Sequence, residues 1–163
     1  MNNSINQIVF IDSRVQDIPT LLAGFPADAE VHVIDASHDG LAQMNQVLAG
    51  RSGIDAIHVF SHGSAGALQL GSTTLTSANL NAYAPLLQQI GQSLTSDGDL
   101  LLYGCNVGAG VAGQSFVESI ARITQADVAA SDDLTGAADK GGDWVLEVAS
   151  GAIEMRCWLA STV

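Results

Sequence analysis

A histidine and a cysteine draw attention first, because each follows an apolar run and is flanked by glycine. His62 sits in Ser61-His62-Gly63, and Cys105 sits in Gly104-Cys105-Asn106. A thiolate is the reactive form of cysteine, and an imidazole can take or give a proton near neutral pH. Brought together, the two could attack a carbonyl carbon, with Cys105 as the nucleophile and His62 moving the proton. Gly63 has no side chain, so its backbone N–H can turn towards the same point. With the Cys105 amide it could hold a developing oxyanion. The plainer alternatives are a small buried hydrophobe for the cysteine and a core role for the histidine. Placement in the fold separates these readings.

The elements that must provide that placement alternate regularly. Apolar runs at 7–12, 30–35, 55–61, 99–103 and 127–130 read as buried strands, with a sixth at 144–148 on a sheet edge. Between them, a short helix is expected at 17–23. A second is expected at 39–49, where Leu41, Met44, Val47 and Leu48 keep helical spacing. Asp39 is its expected N-cap and Gly50 its stop. Residues 76–94 read as mostly helical, with Pro85 near a break or a first turn, and 113–124 as another helix. Residues 67–70 and 73–75, split by Gly71-Ser72, read as a small hairpin after the third strand. The fold class is therefore α/β: a three-layer sandwich, with a mostly parallel sheet of about six strands and helices on both faces. The domain spans 1–154, and 155–163 read as a tail or linker.

In such sheets, sites form at the carboxyl ends of the strands. That rule selects Asp12-Ser13, Asp35, Ser61-His62-Gly63, Gly104-Cys105-Asn106 and Ser131-Asp132-Asp133. If strands three and four are neighbours, His62 and Cys105 emerge at one edge, and the helix that follows favours the thiolate. Asp12, Ser13, Asp35, Asp132 and Asp133 are the candidate substrate contacts, and their carboxylates would select a basic side chain. Capping and turn formation are the alternative roles for these Asp residues. If the site cuts beside basic residues, Arg156 in the tail is a self-processing point.

Composition bounds the rest. A chain of 163 residues with 47% apolar residues can bury a sizeable core, and the 5% aromatic share means Ala, Val, Ile and Leu must build it. The formal net charge of −12 repels a phosphate backbone, which argues against nucleic acid. A Lys-poor, acidic surface suits salty or calcium-containing surroundings, or serves solubility alone. No apolar run approaches the roughly 20 residues of a membrane span. The polar stretch 1–7 shows no Sec signal, which leaves export through a signal elsewhere on a longer parent chain. Cys105 and Cys157 allow one disulfide but no metal spacing.

Two further motifs compete. Gly108, Gly110 and Gly113 spell G-x-G-x-x-G, with Asp132 at the distance a dinucleotide fingerprint requires. The first glycine comes too late after the strand and too little chain follows, so glycines opening a helix beside a sheet are preferred. His58 and His62 share a strand face without a third ligand. Together with His32 and His38, which have no evident partners, they indicate no metal centre, and core or surface roles are expected for His32, His38 and His58. No cofactor is expected. Asp132, Asp133, Asp139 and Asp143 make an oxygen-rich loop that Ca²⁺ would suit, but it lacks the EF-hand order and a solvated turn is preferred.

Ser61-His62-Gly63 followed by Tyr103-Gly104-Cys105-Asn106 resembles the His-Gly and Cys signatures of the caspase, gingipain and legumain superfamily of cysteine peptidases. More closely, residues 7–154 resemble an uncharacterised module (domain of unknown function 4347) near the N-termini of large bacterial repeat or cadherin-like surface adhesins. The stretches that carry this resemblance are Ile8-Val-Phe-Ile-Asp-Ser13, Val59-Phe-Ser-His-Gly-Ser64, Leu102-Tyr-Gly-Cys-Asn106, Ala126-Asp-Val-Ala-Ala-Ser-Asp-Asp-Leu-Thr-Gly136 and Gly141-Gly-Asp-Trp144. The resemblance implies a caspase-like sheet and a Cys105–His62 dyad acting on a peptide or on the parent polypeptide. It also implies an extracellular or cell-surface location. The caspase residues that read a substrate Asp have no evident counterpart. The alternative is a non-catalytic capping, anchoring or adhesion module.

Overall fold

The computed structural model describes residues 7–15, 30–103, 107–130 and 148–150; of 96, 97 and 148–150 it describes the backbone. Strand β1 (Gln7–Asp12) is an unbroken run of β-formers, and Ile8, Val9, Phe10 and Ile11 are all buried. A run buried on both faces belongs inside a parallel sheet. Strands β2 (Glu30–Ile34) and β3 (Ile54–Phe60) flank it, both parallel to it. The small strands β4 (Gly63–Ser64), β5 (Ala67–Leu70) and β6 (Thr73–Thr76) form a separate antiparallel sheet. Strand β7 (Leu94–Tyr103) pairs parallel with β3, and β8 (Asp127–Ala130) pairs parallel with β7. Strand β9 (Val148–Ser150) closes the edge in antiparallel sense.

The order β2-β1-β3-β7-β8-β9 has one reversal. The chain steps from β1 outwards to β2, then returns to β3 on the other side of β1. At such a switch point the loops leave in opposite directions and open a crevice at the carboxyl ends. Here the switch point lies between β1 and β3.

Helix α1 (Gly40–Leu48) begins where expected. The Asp39 carboxylate accepts from the Leu41 and Ala42 amides at 2.9 and 3.3 Å, which satisfies two of the helix's free donors. Helix α2 (Ala84–Ser93) is shorter than the reading of 76–94, with Pro85 in its first turn. Asn79 explains the difference. Its side chain accepts from the Thr76 amide at 2.7 Å and donates to the Thr74 carbonyl at 2.8 Å, so it holds a turn instead of a helix. Helix α3 (Gly110–Thr124) starts three residues earlier than expected. Gly110 has φ +65°, and a Cβ on Gly113 would lie 2.1 Å from the Gly108 carbonyl carbon. The G-x-G-x-x-G glycines thus have a conformational and packing reason to be there.

The inward faces of α1, α2, α3 and the small sheet join one apolar cluster with Ile8, Phe10, Val59 and Leu102. The opposite sheet face, which carries Val9, Ile11, Phe60 and Tyr103, is equally buried. The helix expected at 17–23, the strand residues 144–147 and the tail 155–163 lie outside the described residues. No described helix is long and apolar enough to cross a membrane.

Candidate functional site

Asp12 closes β1, and the strand's period of two puts it on the face of Ile8 and Phe10. Its carboxylate is therefore turned into the fold and fully buried. Four hydrogen bonds converge on it. The Arg14 amide and Nε donate to Oδ1 at 2.9 Å each, while Arg14 Nη2 and the Gly71 amide donate to Oδ2 at 2.8 and 2.9 Å. Burial alone would push this carboxyl up. The Arg14 and Gly71 hydrogen bonds and the guanidinium charge outweigh it and hold Asp12 below the usual carboxylate range. Arg14 Nη2 also donates to the Gly71 carbonyl, so both backbone polar groups of Gly71 are gripped.

Gly71 is the turn between β5 and β6. It has φ +61°, and a Cβ there would lie 2.1 Å from the His38 carbonyl oxygen. The Ser72 amide donates to that same carbonyl at 2.8 Å. The turn is thus locked onto the loop that joins β2 to α1.

His62 follows β3 after Ser61 and is exposed. Its Nε2 lies 3.1 Å from the Arg14 carbonyl oxygen. A carbonyl only accepts, so Nε2 carries the proton, and in the neutral ring Nδ1 has the lone pair. Among the described residues Nδ1 has no hydrogen-bond partner. The His62 carbonyl accepts from the Gln69 amide at 2.9 Å. Because residues 62 and 69 form a bonded pair, the next pair, Gly63 with Leu68, is a non-bonded one. The Gly63 N–H therefore points away from β5, off the outer edge of the small sheet.

The chain beyond β3 is tied to Tyr103, which ends β7, and to Val107. Phe60 and Tyr103 end the two strands in register, with rings stacked at 4.3 Å. Past them the Ser61 amide donates to the Tyr103 carbonyl at 3.4 Å. Five residues on, the Gly66 amide donates to the Val107 carbonyl at 3.0 Å. These two ties bracket His62 and Gly63 on one side and the sequence interval 104–106 on the other. Cys105 belongs to that interval and lies outside the described residues.

The chain belongs to the family described as Domain of unknown function (DUF4347). That family's model matches residues 8–163. No curated protein matches the chain.

The other candidate contacts of this DUF4347 domain divide clearly. Ser13 is exposed, and its amide continues the ladder to the Ile34 carbonyl at 2.9 Å. Asp35 lies beyond β1, at the end of the outermost strand, where the Ser37 amide and hydroxyl donate to Oδ1 at 2.9 and 2.7 Å. Those bonds, the backbone one foremost, hold it below the usual carboxylate range. His38 and Ser37 stand close by, with Ser37 Oγ 3.0 Å and Asp35 Oδ2 3.2 Å from the same His38 nitrogen, Nδ1. A relay needs the two on opposite nitrogens, so this Ser-His-Asp group is a turn. Asp132, Asp133, Asp139, Asp143, Arg156 and Cys157 lie outside the described residues.

His58 is a core residue, as expected. It is buried, its Nε2 donates to Gln7 Oε1 at 2.8 Å, and its ring stacks on Tyr103 at 5.8 Å. Burial pushes it down to about 3, so it stays neutral. No group of three metal-ligating side chains occurs among the described residues. Arg14, which touches both Asp12 and His62, was not singled out by the sequence reading. Its signal was a basic residue two positions past a strand-end Asp.

Proposed function

We propose that this domain is a caspase-like cysteine peptidase that processes a large secreted surface protein, its own parent chain foremost. The observation that carries the reading is the pair of ties, Ser61 to Tyr103 and Gly66 to Val107. They join the chain on either side of His62-Gly63 to Tyr103 and Val107, the residues that flank the Cys105 interval in the sequence.

The chemistry follows from the ring's orientation. Nδ1 takes the thiol proton of Cys105, and the sulfur lone pair forms a bond to the scissile carbonyl carbon. The carbonyl π electrons move to oxygen, and the Gly63 N–H, which points away from β5, meets that charge. Collapse breaks the C–N bond, and the amine leaves with the proton from Nδ1. Water then attacks the thioester with His62 as base, which frees the acid and restores the thiol. A covalently attached substrate is present at high effective concentration, which suits self-processing.

Alkylation by iodoacetamide at neutral pH tests this. Cys105 is expected to react faster than Cys157, and more slowly after His62→Ala. A folded protein with an inert Cys105 would overturn the reading and leave a non-catalytic capping or anchoring module.

A further inference from the structure

We propose that Asp12 is a positioning residue for His62, reaching its ring through the Arg14 peptide and its main chain through Gly71 and β5. This rests on the reading above only in what it says His62 does; the positioning itself is geometric.

The first route is short. Asp12 Oδ1 accepts from the Arg14 amide, and the guanidinium grips the same carboxylate through Nε and Nη2. Backbone and side chain of Arg14 are thus pinned to one buried group. The Arg14 carbonyl is thereby aimed, and it receives the Nε2 proton of His62 at 3.1 Å. An exposed imidazole left to itself samples several rotamers and both tautomers. Held by that carbonyl, it keeps Nδ1 as its proton acceptor.

The second route runs through the small sheet. Asp12 Oδ2 accepts from the Gly71 amide, and Arg14 donates to the Gly71 carbonyl. Gly71 follows β5, and two residues back the Gln69 amide donates to the His62 carbonyl at 2.9 Å. One carboxylate thus reaches the ring by one route and the backbone by the other. A buried charge is costly unless fully bonded, and here both oxygens are occupied. Asp12 therefore presents no free oxygen to a basic substrate side chain; its work is done through neighbours.

The test is Asp12→Asn in the full chain, which keeps the shape but loses the charge and one acceptor atom. Two readouts are taken: the His62 χ1 couplings and ring tautomer by NMR, and the pH profile of Cys105 alkylation. Wild type is expected to show one rotamer with Nε2 protonated. D12N is expected to show averaged couplings and alkylation slower by between about tenfold and the roughly 100-fold of a 1 Å misplacement. Glu30→Gln, which breaks an ion pair on the outermost strand, should change neither readout. If D12N does not fold, Arg14→Ala keeps the carbonyl and removes only the guanidinium contacts, and it should loosen the ring in the same direction. A folded variant with an unchanged rotamer would overturn the inference. Should wild-type Cys105 prove inert, the peptidase reading falls, while the His62 couplings still decide the role of Asp12.

Discussion

The Gly66 amide donates to the Val107 carbonyl at 3.0 Å, tying the tip of the β4–β5 hairpin to the chain beyond β7. At its other end the same small sheet is tied to β1, through Gly71 and Asp12. The small sheet is therefore tied to the main-sheet chain at both ends, and His62 leads into its first strand. Its two turns are the points at which the candidate site can be loosened without touching a reacting group.

Gly71 and Gly50 make a controlled comparison. Both have positive φ, +61° and +74°, but a Cβ on Gly71 meets three backbone atoms within 3.0 Å while Gly50 has nothing within 4 Å. Gly50→Ala should cost about 1 kcal/mol, the backbone term alone. Gly71→Ala adds an overlap that only moving the β2–α1 loop can relieve, and should cost about 3 kcal/mol or more. Urea denaturation of the two variants reads the difference. Equal costs would mean that the β5–β6 turn is not locked as described.

Gly66→Ala is a milder change at the other turn. With φ +72° and 3.1 Å to the Ala112 carbonyl oxygen, it should lower stability by about 1–2 kcal/mol. Because the turn ties the His62 segment to Val107, Cys105 alkylation should slow more in G66A than in G50A. The same rate in both would separate the hairpin tip from the site.

His58 gives the domain an acid-side signature. Its folded value, about 3, lies below the ordinary 6.5, so between those values the unfolded chain binds a proton that the folded chain does not. Stability must then fall as pH drops below about 6.5, with a slope approaching about 1.4 kcal/mol per pH unit. Carboxylates add their own loss only lower, so from about 6.5 to 4.5 the difference between wild type and a His58 variant reads this histidine. His58→Gln, which cannot charge, should flatten ΔG of unfolding in that window. A wild-type curve already flat there would mean that His58 is hydrated.

Much of this arrangement was legible in residue order. Asp39 before Leu41 and Met44 marked α1, and Gly71-Ser72 between two alternating runs marked the hairpin. Adjacency of the strands that end at Phe60 and Tyr103 was a condition in that reading, and the register of β3 with β7 supplies it. Local competition was not legible. Asn79 holds a turn through contacts three and five residues back, which overrides a helical apolar pattern. Long-range closure was hidden too. The Gly71 amide that saturates Asp12 comes from 59 residues away. The direction of Asp12 was hidden as well, since Ile8-Val-Phe-Ile11 is apolar without a break and marks neither face.

The ion pairs on the outermost strand should matter far less than the buried Asp12 group. Arg51 Nη1 and Nη2 donate to Glu30 at 2.6 and 2.8 Å, and His32 Nε2 lies 2.5 Å from Glu30 Oε2. The Arg51 hydrogen bonds, then that of His32, bring Glu30 from 4.5 down to about 2. Both Arg51 and Glu30 side chains are more than a third exposed, at 39% and 38%, so water screens most of that gain. Arg51→Ala should therefore cost under about 1 kcal/mol at neutral pH. A depressed carboxyl stabilises the fold above its unfolded value, and that contribution fades as pH falls from 4.5 through about 2. The wild-type advantage over R51A should shrink across that range and in high salt, as read by paired urea titrations. An advantage above about 2 kcal/mol at neutral pH would show that this edge is shielded from water after all.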